Sequence, residues 1–126
     1  MLKSKSLFVL LSLLYACQTP KLPENPDAWK KIKIDFRQLD AEGLAGQGSS
    51  KVAMNYEFCI PSEAKYWKEV QKIDPSARRN EGKGRVACKT IESLIIGSTH
   101  QKNYQRILFR LASLPYVRSI EPVFWE

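Results

Sequence analysis

An alternating stretch near the middle of the chain most constrains the fold. From residue 52 to residue 60, apolar side chains occupy every second position: Val52, Met54, Tyr56, Phe58 and Ile60. Successive side chains of a β-strand point to opposite faces of a sheet, so this stretch predicts a strand with one apolar face. Such a face must be buried against other elements of the chain. The segments that follow this strand therefore decide the architecture.

Two helices and three further strands are predicted after this strand. Apolar residues recur at helical spacing over 64–73 and again over 104–111. Ser98 and Gln101 have the spacing of a capping box, which predicts that the second helix opens there. The remaining strands are predicted at 85–90, 94–97 and 117–125.

The resulting order of elements from residue 52 onward is β-α-β-β-α-β. This order is typical of the ferredoxin-like split βαβ sandwich, in which two helices cover one face of an antiparallel sheet. Residues 32–37 also alternate, and they predict an extra N-terminal strand at an edge of that sheet. The predicted class is therefore α+β, ferredoxin-like (βαββαβ) with one added strand. A small α+β sandwich with another strand order is the alternative.

The first part of the chain has the layout of a secretory signal peptide. Lys3 and Lys5 precede an apolar run from Ser6 to Ala16, which is shorter than the roughly 20 residues that span a membrane. Three prolines at a spacing of three residues predict an extended spacer over 18–28. A chain of 126 residues has room for one domain. The predicted organisation is a signal peptide at 1–16, a tether at 17–28 and a single domain at 29–126.

The residues that close the apolar run, Leu14-Tyr15-Ala16-Cys17, resemble the lipobox of bacterial lipoproteins. The resemblance implies that Cys17 is the first mature residue, with a diacylglyceryl group on its sulfur and an acyl chain such as palmitate on its amino group. We then expect the protein in the bacterial cell envelope, attached to a membrane through its lipid. Gln18 stands where an aspartate would favour inner-membrane retention, so the resemblance favours the outer membrane.

The charge of the chain indicates an anionic partner. Without the signal peptide, 18 basic residues stand against 13 acidic ones, a net charge of +5. A cluster of basic residues around one loop is the candidate binding surface, for an envelope protein or for an anionic envelope component. Its members are Arg78, Arg79, Lys83, Arg85 and Lys89. The alternative is a solvated basic face, and nucleic acid is a poor candidate partner for an exported protein.

Two cysteines remain once Cys17 is assigned to the lipid. An exported domain with two thiols is expected to pair them, here Cys59 with Cys88. The predicted strand order conflicts with this pairing, because it puts a third strand between the two cysteine strands and their Cα atoms about 9.6 Å apart. A disulfide needs 4.4–6.8 Å between Cα atoms. Converging strand ends, another strand order or two free thiols remain open as explanations.

No arrangement of residues in the sequence indicates an enzyme, a cofactor or a metal. The leading hypothesis is a lipid-anchored envelope protein with a non-enzymatic binding domain. One alternative is a small enzyme that uses Cys59 or Cys88 with the single histidine, His100, and it requires a free thiol. His100 is predicted in the first turn of the second helix.

A second alternative comes from the C-terminal segment, Leu111-Ala-Ser-Leu-Pro115-Tyr-Val117-Arg-Ser-Ile120-Glu-Pro122. This segment resembles the last helix and strand of subtilisin-type prosegments and their free inhibitor relatives, which are ferredoxin-like domains. The resemblance implies a protease inhibitor. Inhibition of a subtilisin-type protease by the domain is the observation that separates this hypothesis from the others.

Overall fold

A computed structural model describes residues 24–124 of the chain. The described part holds three α-helices and six strands. The helices are α1 (Pro26–Lys31), α2 (Ala64–Ile73) and α3 (Tyr104–Ala112). The strands are β1 (Leu44–Ala45), β2 (Val52–Ala53), β3 (Asn55–Pro61), β4 (Arg78–Asn80), β5 (Glu92–Ser98) and β6 (Glu121–Val123). The predicted signal peptide, Cys17 and the tether up to residue 23 lie outside the described residues.

The main sheet has four antiparallel strands in the order β4-β5-β3-β6. Its longest pairing joins β3 to β5, from Asn55 opposite Ser98 to Pro61 opposite Glu92. Because β4 and β6 pair on one side only, they are the edges of this sheet. A short hairpin of β1 and β2 forms a second, two-stranded sheet. The protein is therefore a mixed α+β protein, as the sequence predicts.

The core lies between one face of the main sheet and the helices. Tyr56, Phe58 and Ile60 of β3 are at most 1% exposed, which confirms this part of the predicted apolar face. The single strand predicted over 52–60 is wrong at its start, because it is divided at Met54 and Val52 in β2 is 63% exposed. The three core side chains of β3 form one buried cluster with Val70 of α2 and with the stripe of α3, in which Leu108 and Leu111 are fully buried. Each such side chain contributes about 1.5–3 kcal/mol when it leaves water.

The N-terminal part differs from the prediction in two places. Residues 26–28 are not extended, because α1 begins at Pro26, with the side chain of Asn25 accepting a hydrogen bond from the Ala28 amide. The strand predicted at 32–37 is wrong beyond its first residue. Ile32 makes one isolated parallel bridge to Ile120 beside β6, and a 3₁₀ turn follows at Phe36–Gln38.

The second half of the chain corrects three further boundaries. The strand predicted over 85–90 does not form. The strand between α2 and β5 is instead β4, which lies earlier in the chain and is shorter than predicted. The second helix does not open at the predicted capping box, because α3 begins at Tyr104 after Asn103. The final strand is only β6, although Val117 and Ile120 before it are fully buried in the core. The predicted helix at 64–73 and strand at 94–97 are confirmed.

Candidate functional site

The face of the main sheet opposite the helices is the candidate functional surface, and we call it the outer face. Since residues directly opposite each other in a sheet point to the same side, the register identifies its members. They are Asn55, Glu57, Cys59 and Pro61 of β3, Glu92, Leu94, Ile96 and Ser98 of β5, Arg78 and Asn80 of β4, and Glu121 and Val123 of β6. This set mixes amides, charges and apolar groups, whereas the opposite face supplies Tyr56, Phe58, Ile60 and Ile95 to the core.

A loop over residues 81–91, which we call the covering loop, packs on part of the outer face. The Val86 amide donates a hydrogen bond of 2.8 Å to Glu57 Oε1, and Val86 packs against Cys59, Cys88 and Leu94. Gly84 lies so close that a Cβ there would sit 2.8 Å from a Leu94 methyl group and 2.9 Å from a Glu57 oxygen. These contacts bury Glu57, which is 4% exposed.

The predicted disulfide is present and attaches the covering loop to β3. Cys59 and Cys88 are bonded with a Cα–Cα distance of 5.4 Å, and each is 3% exposed. The conflict with the strand order disappears because Cys88 does not lie in a strand. The covering loop crosses above β5 and reaches Cys59 from the open side of the sheet. Cys59 also points away from the apolar face of its strand, as its position in the alternation predicts.

The part of the outer face beside the covering loop is open and holds a cavity of about 290 Å³, which we call the edge cavity. It is lined by Asn55, Arg78, Arg79, Asn80 and Ile96. Ile96 provides an apolar floor, while two amides and Arg78 provide hydrogen-bond donors and positive charge. A cavity of this kind suits a carboxylate or phosphate group attached to a partly apolar ligand.

The five basic residues of the predicted cluster fall into two groups. Arg78 and Arg79 stand on β4, on opposite faces of the sheet, and the Arg79 guanidinium lies 5.9 Å from the centre of the Trp67 ring on the helix side. The remaining three, Lys83, Arg85 and Lys89, belong to the covering loop and are exposed. Only the first two line the edge cavity, so the structure divides the predicted cluster into a strand part and a loop part.

The uncharged residues of the edge cavity are not among the predicted site residues. In the sequence, Asn55 and Ile96 are members of predicted strands, and Asn80 follows the basic pair in a segment without a predicted strand. The pairing of β4 with β5 brings Arg78 opposite Ile96, and the pairing of β3 with β5 adds Asn55. These are long-range contacts, and no local pattern in the sequence contains them.

His100 is not in a helix. It lies in the turn before α3, is exposed, and its Nδ1 atom is 3.2 Å from the carbonyl oxygen of Glu42. With Ala41, Glu42, Gln101 and Lys102 it lines a second cavity of about 340 Å³. The two cysteines that the enzyme alternative needs are bonded to each other rather than free.

Behind His100 lies a buried polar cluster that we call the Asp74 network. Asp74 is 1% exposed, and its carboxylate accepts hydrogen bonds from the Tyr56 hydroxyl, from the Ser76 amide and hydroxyl, and from the Gln101 side chain. Burial raises the pKa of the Tyr56 phenol far above its ordinary value, and the charge of Asp74 raises it further. Both oxygens of this buried carboxylate accept hydrogen bonds, as expected of a group that stabilises the fold.

Within residues 24–124, no three side chains of the metal-ligating types His, Cys, Asp and Glu come together as a metal site. None of the helices in that range is both long and apolar enough to cross a membrane. The chain matches no known protein family, no characterised protein and no solved structure. The outer face and its edge cavity must therefore be interpreted from their own chemistry.

Proposed function

We propose that the protein is a lipid-anchored component of the bacterial cell envelope whose domain binds an anionic partner without catalysing a reaction. The observation that carries this proposal is the edge cavity, where Arg78 meets two amides over an apolar floor, while Arg79 of the same strand adds positive charge on the opposite face. This donor set recognises carboxylates or phosphates. The signal-like segment and the lipobox at Cys17 support the membrane attachment.

The fold assignment that goes with this proposal is ferredoxin-like. It is supported by the order β3-α2-β4-β5-α3-β6 along the chain and by the antiparallel arrangement β4-β5-β3-β6 in the sheet. This arrangement of elements also favours a prosegment-like protease inhibitor as the second candidate function, because the subtilisin-type prosegments that the C-terminal segment resembles are ferredoxin-like domains. The covering loop and its disulfide are then features added to that architecture.

Lipid attachment is tested by replacing Cys17 with serine. In cells fed a radiolabelled fatty acid, we expect the wild-type chain to carry label and to sediment with membranes, and the Cys17→Ser chain to lose both properties. Serine has no thiol for the diacylglyceryl transfer, so the variant lacks the acyl chains, each buried methylene of which contributes about 0.8 kcal/mol to membrane attachment. The matched control is Cys59→Ala with Cys88→Ala, which should keep the label. Unchanged labelling of Cys17→Ser contradicts the anchor.

Binding is tested by affinity capture from a detergent extract of the cell envelope. Residues 19–126 serve as bait beside a variant with Arg78, Arg79 and Lys83 changed to alanine. A second variant, in which the exposed residues Lys68, Lys72 and Arg106 become alanine, removes the same charge from the helices. We expect one dominant protein on the wild-type and helix-variant baits and none on the first variant. Retention of nothing by any bait contradicts a protein partner.

A further inference from the structure

The edge strand β4 is short, basic and unpaired on one side. Its three residues, Arg78, Arg79 and Asn80, are all exposed, and β4 is the last strand in the order of the main sheet. One row of its backbone N–H and C=O groups bonds to β5, and the other row points away from the sheet. Such a row is a template on which a further strand can form hydrogen bonds.

The register of β4 determines which side chains an added strand would meet. Arg78 stands opposite Ile96 on the outer face, beside the edge cavity, and Arg79 stands opposite Ile95 on the helix side. A strand paired with β4 would therefore place two consecutive residues beside two guanidinium groups, one on each face of the sheet. Directly opposite residues in a sheet have Cβ atoms about 4.5–5.5 Å apart, which is within reach of an ion pair.

We propose that β4 binds an extended segment of a partner protein by strand addition, and that this segment carries two consecutive acidic residues. The inference rests on the proposed function and specifies how its binding surface works. One acidic side chain would pair with Arg78 and enter the edge cavity between the Asn55 and Asn80 amides. The next would pair with Arg79 on the other face. Neutral or basic segments would leave both guanidinium groups unpaired, so the same arginines exclude them.

The position of β4 favours a partner protein over the lipid headgroups of the anchoring membrane. The chain enters the domain at the opposite edge, where Ile32 bridges to Ile120 beside β6. With neighbouring strands about 4.8 Å apart, β4 lies roughly 15 Å from β6 across the sheet. Ile32 and β4 are therefore at opposite edges of the sheet.

The test uses the full chain, purified as its cell makes it and kept in a neutral detergent. The probes are two fluorescent peptides with blocked ends, Thr-Val-Thr-Glu-Glu-Thr-Val-Thr and the same peptide with Gln-Gln in the centre. Fluorescence anisotropy gives the dissociation constants. We expect the acidic peptide to bind about tenfold more tightly, the sum of two modest cross-strand ion pairs. Equal affinities, or no binding of the acidic peptide, overturn the proposal.

Two double variants test whether binding depends on the position of the positive charge or only on its amount. Arg78→Ala with Arg79→Ala should weaken binding of the acidic peptide about tenfold, while Lys83→Ala with Lys89→Ala, which removes the same charge from the covering loop, should change it by less than about twofold. Equal losses would mean a general attraction to the basic surface, and the proposal fails. Melting curves verify that both variants are folded, since Arg79 also packs on Trp67.

Strand addition itself is tested with N-methylated acidic peptides, because an N-methyl group blocks one backbone donor. Methylation of alternate residues along one edge of the peptide should weaken binding at least tenfold, and methylation along the other edge should not. If neither series weakens binding, the contact is not a strand pairing. Envelope capture that succeeds while the acidic peptide fails leaves the binding function standing and removes this mode of recognition.

Discussion

Replacing Asp74 with alanine is expected to lower the free energy of unfolding by about 3–5 kcal/mol. The carboxylate is 1% exposed and holds three partners, the Tyr56 hydroxyl, Ser76 and the Gln101 amide. Alanine would leave the hydroxyl of Tyr56 and the Gln101 amide buried with fewer acceptors, and each unsatisfied group costs about 1–3 kcal/mol. Urea unfolding followed by tryptophan fluorescence measures the loss.

Asp35 is the control for this substitution. It also accepts three hydrogen bonds, all from Arg37, but its side chain is 38% exposed. Because water replaces lost partners at an exposed site, Asp35→Ala should leave the unfolding midpoint nearly unchanged. Asp74→Asn, which keeps the size and one oxygen, should fall between the two. If Asp74→Ala and Asp35→Ala behave alike, burial of the network does not stabilise this fold.

The Asp74 network shows what a local pattern can and cannot predict. Asp74-Pro75 correctly marks the end of α2, because the residue before a proline avoids helical backbone angles. Ser98 and Gln101 have the spacing of a helix cap, yet Gln101 points back toward Asp74 and hydrogen-bonds to it at 3.0 Å. Gln101 and Asp74 are 27 residues apart in sequence, so their hydrogen bond follows from the tertiary structure and not from a local pattern.

The elements that are predicted correctly are those with a continuous row of apolar side chains buried in the core. The alternating face of β3 and the helical stripes of α2 and α3 all contact one core. Because the same side chains are both periodic and buried, the period of the apolar residues predicts each element. The segment 32–37 alternates for the same reason, since Ile34 is buried. However, the side chain of Asp35 accepts a hydrogen bond from the Arg37 amide and starts a 3₁₀ turn, which ends the extended backbone.

The strand wrongly predicted at 85–90 has a physical explanation in the covering loop. Val86 and Cys88 occupy alternate positions because both face the sheet below them, not because the loop joins the sheet. Gly84 is a better indication of a loop than the alternation is of a strand. Its φ is +63°, and its contacts with Glu57 and Leu94 leave no space for a side chain. The helix α1 had a local signal as well, with Asn25 as its cap and Pro26 in its first turn.

Removing the disulfide is expected to destabilise the domain by about 3–4 kcal/mol. The bond joins residues 29 positions apart, and the loss follows from the greater freedom of the unfolded chain once that loop is no longer closed. The variant is Cys59→Ala with Cys88→Ala, which leaves no buried thiol. Without the covalent link the covering loop is held by noncovalent contacts, among them the hydrogen bonds from the Val86 amide to Glu57 and from the Ser62 amide to the Ile91 carbonyl, so it should also open before the rest unfolds.

Two measurements separate these effects. Urea unfolding gives the global loss, and limited trypsin digestion under native conditions reports the local opening, because the covering loop contains Lys83, Arg85 and Lys89. We expect cleavage in the loop to accelerate in the double variant while cleavage at Lys68 and Lys72 in α2 stays slow. An open covering loop would also uncover Glu57 and Leu94 and extend the outer face beyond the edge cavity. Equal stability and equal cleavage of the two proteins would show that packing, not the disulfide, holds the loop on the sheet.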